Sequence, residues 1–126
     1  GGGAVETELL MKLHEYAGTV GGRVQLAIEA YAASFEIIPT TLAENSGFNQ
    51  LDKLVELKAA HAKGKKHAGL NVYNGKIIDM FKEGVVEPHR SKRQSIQSAS
   101  ETAVMLIRVD DMMITQQGGR SGAPGM

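Results

Sequence analysis

The feature that most constrains this chain is a helical period of apolar residues that stops at 69–88 and then resumes. Val5, Leu9, Leu13, Tyr16 and Val20 step by four or three, the spacing of an amphipathic helix facing a core. Glu6 and Glu8 fall in its first turn, where carboxylates suit the positive end of the helix dipole, and "TVGG" (19–22) ends it. Residues 23–38 are apolar nearly all round, which predicts a central helix buried on most sides and stopped by Pro39. "TLAE" (41–44) has capping-box spacing for a short helix closed by Asn45, Ser46 and Gly47. Asn49 then caps a fourth helix carrying Leu51, Leu54, Val55 and Lys58, ending at Gly64 among lysines.

Beyond the break, Ile96, Ala99, Ala103, Leu106 and Asp110 keep helical spacing and predict a long fifth helix over 93–109. "MMIT" (112–115) reads as a short strand. The glycine-rich end 116–126 has no large aliphatic before its final Met and reads as a disordered tail. The expected fold is mainly α, a helical bundle with a small β element near 70–78 and a C-terminal strand.

Charge and composition exclude several classes. Fourteen basic side chains balance fourteen acidic ones, so no global field recruits nucleic acid or an anionic membrane. The cluster Arg90, Lys92 and Arg93 has no interleaved aromatic platform, which argues further against nucleic acid. No cysteine is present, which removes disulfides and thiolate chemistry and suits a reducing, cytoplasmic setting. No apolar run approaches the roughly 20 residues that span a bilayer. The four histidines show no i, i+4 pair, so no metal site is expected. No serine sits in an elbow motif, no complete phosphate loop occurs, and Asp110 and Asp111 diverge as neighbours on a helix. Catalytic residues are therefore not assigned. The start at "GGGAVETEL" without Met suggests a piece of a longer chain.

Three features carry possible chemistry. "GGGA" leads directly into a helix, where glycines let backbone N–H groups approach an anion; alone it equally reads as a linker. "NVYNG" (71–75) makes a tight turn. It is either only a turn, or a place where Asn71 meets a base edge beside the apolar walls Val72 and Val85. In "GVVEPHRSKR" (84–93), Pro88 biases Glu87 to extended backbone, where its carboxylate can accept from a ribose diol. The basic cluster that follows sits at a helix start, where cations are unfavourable. Glu87 or a bound anion must offset it, or the segment is a solvated charged turn.

Together, "GGGAVETEL", "EYAGTVGGRVQLAIEAYA", "IIPTTLAENSGF", "LVELKAAHAKGKK", "GLNVYNGKIIDMFKEGVVEP" and "AVMLIRVDDMM" resemble, in order and spacing, the C-terminal part of the equatorial domain of group II chaperonins. That family comprises the archaeal thermosome and the eukaryotic cytosolic chaperonin. The resemblance covers residues 1–115, with 116–126 as a Gly/Met-bearing flexible tail. It implies an ATP-dependent protein-folding machine of two stacked rings, using ATP with Mg2+, with other chaperonin subunits and unfolded clients as partners. It also implies nucleotide contacts at Gly2, Asn71, Val72, Glu87 and Lys92. The family's G-D-G-T-T phosphate loop, its second catalytic Asp and its client-binding domain lie outside these residues. The resemblance thus implies an ATPase in the full-length protein and none in this segment alone. Where the family has "EPLRVKTQA", this chain reads "EPHRSKRQS"; inward-pointing His89 and Ser91 would bury polar groups at roughly 1–3 kcal/mol each. The alternative function is a nonenzymatic helical interaction or oligomerisation module, with "MMIT" as an edge strand awaiting a partner.

Overall fold

The computed structural model describes residues 1–118, with side chains through residue 109. It forms two compact units, Gly1–Val86 and Glu87–Met126, each described by itself.

The first unit holds four helices and a hairpin: α1 (Ala4–Val20), α2 (Gly22–Ser34), α3 (Ile37–Asn45), α4 (Gln50–Ala62), β1 (Ala68–Leu70) and β2 (Ile77–Asp79). The second holds α5 (His89–Gly118). The mainly helical expectation and the small β element both hold. In the first unit α1 packs on α2, α3 and α4, and β1 touches α1, α3 and α4. Its core is built from Leu10, Ala17, Ala43, Leu54, Leu57, Leu70 and Met80.

Helix ends follow local chemistry. Asn49 Oδ1 accepts from the Asp52 N–H at 3.0 Å, the N-cap expected from sequence. At the end of α3, Gly47 takes φ +81°, its N–H donates to Glu44 O, and Phe48 N–H donates to Ala43 O. That is the Schellman pattern, which needs a left-handed residue after the cap. Gly64 repeats it after α4, donating to His61 O while Lys65 N–H donates to Ala60 O.

Six expectations need correction. The helix over 23–38 is two helices, parted at Phe35 and Glu36, and Ile37 and Ile38 belong to α3. Pro39 does not stop a helix but sits in the first turn of α3, where its missing N–H would have had no intrahelical partner. For the same reason "TLAE" lies inside α3 rather than starting a helix. Helix α2 is not central: Ala32 is its buried residue, while Val24 and Leu26 are 56% and 68% exposed, because it packs on α1 alone among the larger contacts. Residues 112–115 are not a strand but continue α5. A strand needs an edge to pair with, and the sheet among the described residues is β1 with β2; unpaired methionines favour helix. The tail expected over 116–126 overlaps α5 to Gly118, and 119–126 lie outside the described residues. No helix among the described residues is long and apolar enough to cross a membrane.

Candidate nucleotide site

The break at 69–88 is a hairpin followed by an extended run. Strands β1 and β2 pair antiparallel, Gly69 opposite Ile78 and Leu70 opposite Ile77. Asn71 closes the loop: its N–H donates to Lys76 O at 2.9 Å and its carbonyl accepts from Gly75 N–H at 2.8 Å. Its side-chain Oδ1 accepts from Tyr73 N–H at 2.9 Å. The Asn71 carboxamide oxygen is thus used to shape the turn, leaving the amide NH2 as the group able to donate to a ligand acceptor. Val72 is 37% exposed beside it.

The glycine triplet is built into this hairpin. Gly2 O accepts from Leu70 N–H at 2.8 Å. Gly2 has φ +64°, and a Cβ there would lie 2.9 Å from Leu70 N and 2.8 Å from Met80 Cε. A Cβ on Gly1 would meet Val85 Cγ1 at 2.5 Å. Bare backbone is therefore what lets residues 1 and 2 fit between β1 and the Val85 segment. Gly3, at φ +79°, precedes α1, and its carbonyl accepts from both the N–H and the Oγ1 of buried Thr7. Of the sequence-predicted residues, Gly2, Asn71 and Val72 are brought to one place, since Asn71 directly follows the Leu70 that binds Gly2.

In the second unit Glu87 and Lys92 meet: Glu87 Oε1 lies 2.7 Å from Lys92 Nζ, with side chains 41% and 24% exposed. Residues 85–88 are outside helix and strand, as Pro88 predicts, and Pro88 O accepts from the N–H groups of Ser91 and Lys92 to start α5. Glu87 is thus an anion that offsets the cations at this helix start. One carboxylate oxygen remains for hydroxyl donors such as a ribose diol. His89 and Ser91 are exposed, so the feared burial of polar groups does not arise.

Sequence reasoning missed His61. It is buried on α4, with Nδ1 against Glu8 Oε2 of α1 and Nε2 2.8 Å from Ala68 O of β1. The signal was present, because His61 continues the buried Leu54, Leu57 stripe by four residues. A cleft of about 410 Å³ between α1, α2 and α4, lined by Leu10, His14, Glu29 and Lys58 among others, contains none of the predicted site residues. The Lys58 and Glu36 ion pair, 2.7 Å, lies on its wall.

Comparison with known proteins agrees with this architecture. Residues 1–117 match the model of the TCP-1/cpn60 chaperonin family. The chain is 52% identical over 133 residues to thermosome subunit beta of Archaeoglobus fulgidus, covering all of this chain and 24% of that relative. It is 53% identical over 125 residues to thermosome subunit 1 of Haloferax volcanii, covering 98% of this chain and 22% of that relative. The chain therefore spans about a quarter of the length of the curated relatives it matches. A solved open-state monomer of a group II chaperonin from Methanococcoides burtonii superposes with a TM-score of 0.83 at 50% identity, over 86% of this chain and 27% of that one. By sequence and by fold, this chain belongs to the TCP-1/cpn60 chaperonin family.

Proposed function

We propose that residues 1–115 are the C-terminal half of a chaperonin equatorial domain and supply the adenosine side of an ATP site. Gly2 gives the nucleotide a side-chain-free backbone, and the Asn71 amide donates to a base acceptor beside Val72. Glu87 accepts from the ribose hydroxyls, and Lys92 holds Glu87 and adds a cation. The full-length protein then acts as a cytoplasmic, Mg2+- and ATP-dependent chaperone, in a double ring with other chaperonin subunits, on unfolded clients bound by other domains. The observation that carries this reading is the seat of the glycine pair, between Leu70 with its following Asn71 and Val85. Two sequence features far apart in the chain, the glycine pair and the turn that begins at Asn71, thereby come together through the hydrogen bond from Leu70 N–H to Gly2 O.

Isothermal titration of the purified chain with Mg-ATP tests it. Half a site should bind with a Kd on the order of a millimolar, roughly 4 kcal/mol, and Glu87→Ala or Asn71→Ala should abolish the signal. Undetectable binding at millimolar nucleotide would refute the reading. The second reading, a helical interaction module without nucleotide, is favoured by the exposed apolar residues Val24, Leu26 and Tyr31 of α2. Concentration-dependent self-association together with a silent titration would establish it instead.

A further inference from the structure

Strand β1 has two edges, and the edge away from β2 is not left bare. In an antiparallel pair the backbone groups of alternate residues face opposite edges. Gly69 faces β2, while Ala68 and Leu70 face away from it, as their partners show: Ala68 N–H donates to Lys65 O, and Leu70 N–H donates to Gly2 O. On the same edge Ala68 O meets His61 Nε2 at 2.8 Å. A carbonyl only accepts, so Nε2 donates to it. The imidazole and the Gly2 carbonyl therefore stand two residues apart on one strand edge, as a third strand would. The other ring nitrogen lies against Glu8 on α1, the helix that the glycine triplet opens.

We propose that His61 is the positioning residue of the nucleotide site: it fixes the register of β1 against the glycine pair, and through β1 the place of Asn71. His61 is not itself a ligand contact, since its side chain has no exposed surface. Ala68 held by His61 and Leu70 held by Gly2 leave β1 no freedom to slide, and a slip of one residue would turn Asn71 to the other face. This inference rests on the reading of the site as a nucleotide site. The contact itself is independent of that reading.

Two variants of similar size separate positioning from simple core packing. The Gln amide nitrogen occupies the place of a histidine Nε2 and can still donate to Ala68 O, whereas the Asn nitrogen takes the place of Nδ1 and can reach Glu8 only. Both remove the ring. The readouts are the exchange rate of the Leu70 amide by NMR and the ATP affinity of the chain. His61→Gln is expected to keep Leu70 protected and ATP affinity within about twofold of the parent. His61→Asn is expected to speed Leu70 exchange by about tenfold or more and to weaken ATP by about tenfold, even where the two variants melt at the same temperature. Equal behaviour of the two on Leu70 exchange would overturn the inference. If the parent chain binds no ATP, the functional reading falls, and the Leu70 contrast alone still supports or overturns the role of His61 at the strand edge. Should neither variant fold, Glu8→Gln decides: it leaves the Ala68 contact in place, so unchanged Leu70 protection supports the inference and a tenfold loss overturns it.

Discussion

Replacing Gly2 by alanine tests, without nucleotide, whether the glycine triplet is a structural device. Gly2 sits at φ +64°, a conformation that costs an L-residue roughly 1–2 kcal/mol. Its new Cβ would lie 2.9 Å from Leu70 N, 3.0 Å from Leu70 O and 2.8 Å from Met80 Cε. The Met80 methyl can swing aside, but the β1 backbone is paired to β2 and cannot. The clash therefore loosens the bond from Leu70 N–H to Gly2 O, worth about 1 kcal/mol. The sum is about 2–3 kcal/mol, which in a unit of this size lowers the melting temperature by roughly 8–24 °C. Gly47→Ala is the control, since Gly47 has φ +81° yet nothing within 4 Å of its Cβ position; it carries the strain alone. Urea unfolding followed by helical circular dichroism compares midpoints at constant slope. A Gly2→Ala loss within about 0.5 kcal/mol of the Gly47→Ala loss would refute the close-approach argument, because two independent sites measured this way agree only to that margin.

Other substitutions probe the frame and the chemistry. Gly18 lies inside α1 with ordinary φ and open space around its Cβ position, so Gly18→Ala should stabilise by about 0.5–1 kcal/mol; a lower urea midpoint would contradict this. Leu57 is fully buried on α4, and Leu57→Ala should cost about 2–5 kcal/mol, read from the same unfolding curves. The chain alone should release phosphate from ATP no faster than buffer, because hydrolysis needs an oriented water and a metal at the γ-phosphate. Asp79, the acid at the end of β2, already accepts at Oδ1 from Lys82 N–H at 3.0 Å. Release well above buffer that survives Glu87→Ala would contradict that expectation.

What was legible in the sequence is what short-range chemistry dictates. Asn49 caps α4 because its side chain reaches three residues on, and Gly47 and Gly64 end helices because the backbone turns left-handed there. Pro88 set the extended run before α5, and the hairpin followed from the Asn and Gly residues at 71–75. His61 was not legible as a contact, because Glu8 lies 53 residues and Ala68 seven residues away, and sequence spacing carries no information on either meeting. Its place on the Leu54 and Leu57 stripe was the one available signal. The Gly2 contact with Leu70 was hidden for the same reason: a glycine's need for close approach is visible only once its neighbour is known.

The two largest misjudgements, α2 and residues 112–115, share one physical cause. Apolar periodicity reports the area a helix is able to bury, and burial itself requires a surface to meet. On α2, Val24, Leu26 and Tyr31 are 56%, 68% and 41% exposed although the pattern predicts burial, because within the first unit α2 packs mainly on α1. A strand has the same dependence in a stricter form, since each backbone group on its edge needs a partner group. Between Asn71 and Lys76 that partner is supplied within six residues, so the β element was correct. For 112–115 no partner edge is close in the chain, and the backbone satisfies itself as helix instead. Local satisfaction of hydrogen bonds is thus the criterion that separates the correct β assignment from the incorrect one. It also explains why the residues proposed for the nucleotide site fall into two kinds: Asn71, shaped by its own turn, and Gly2, which acquires its meaning only from β1.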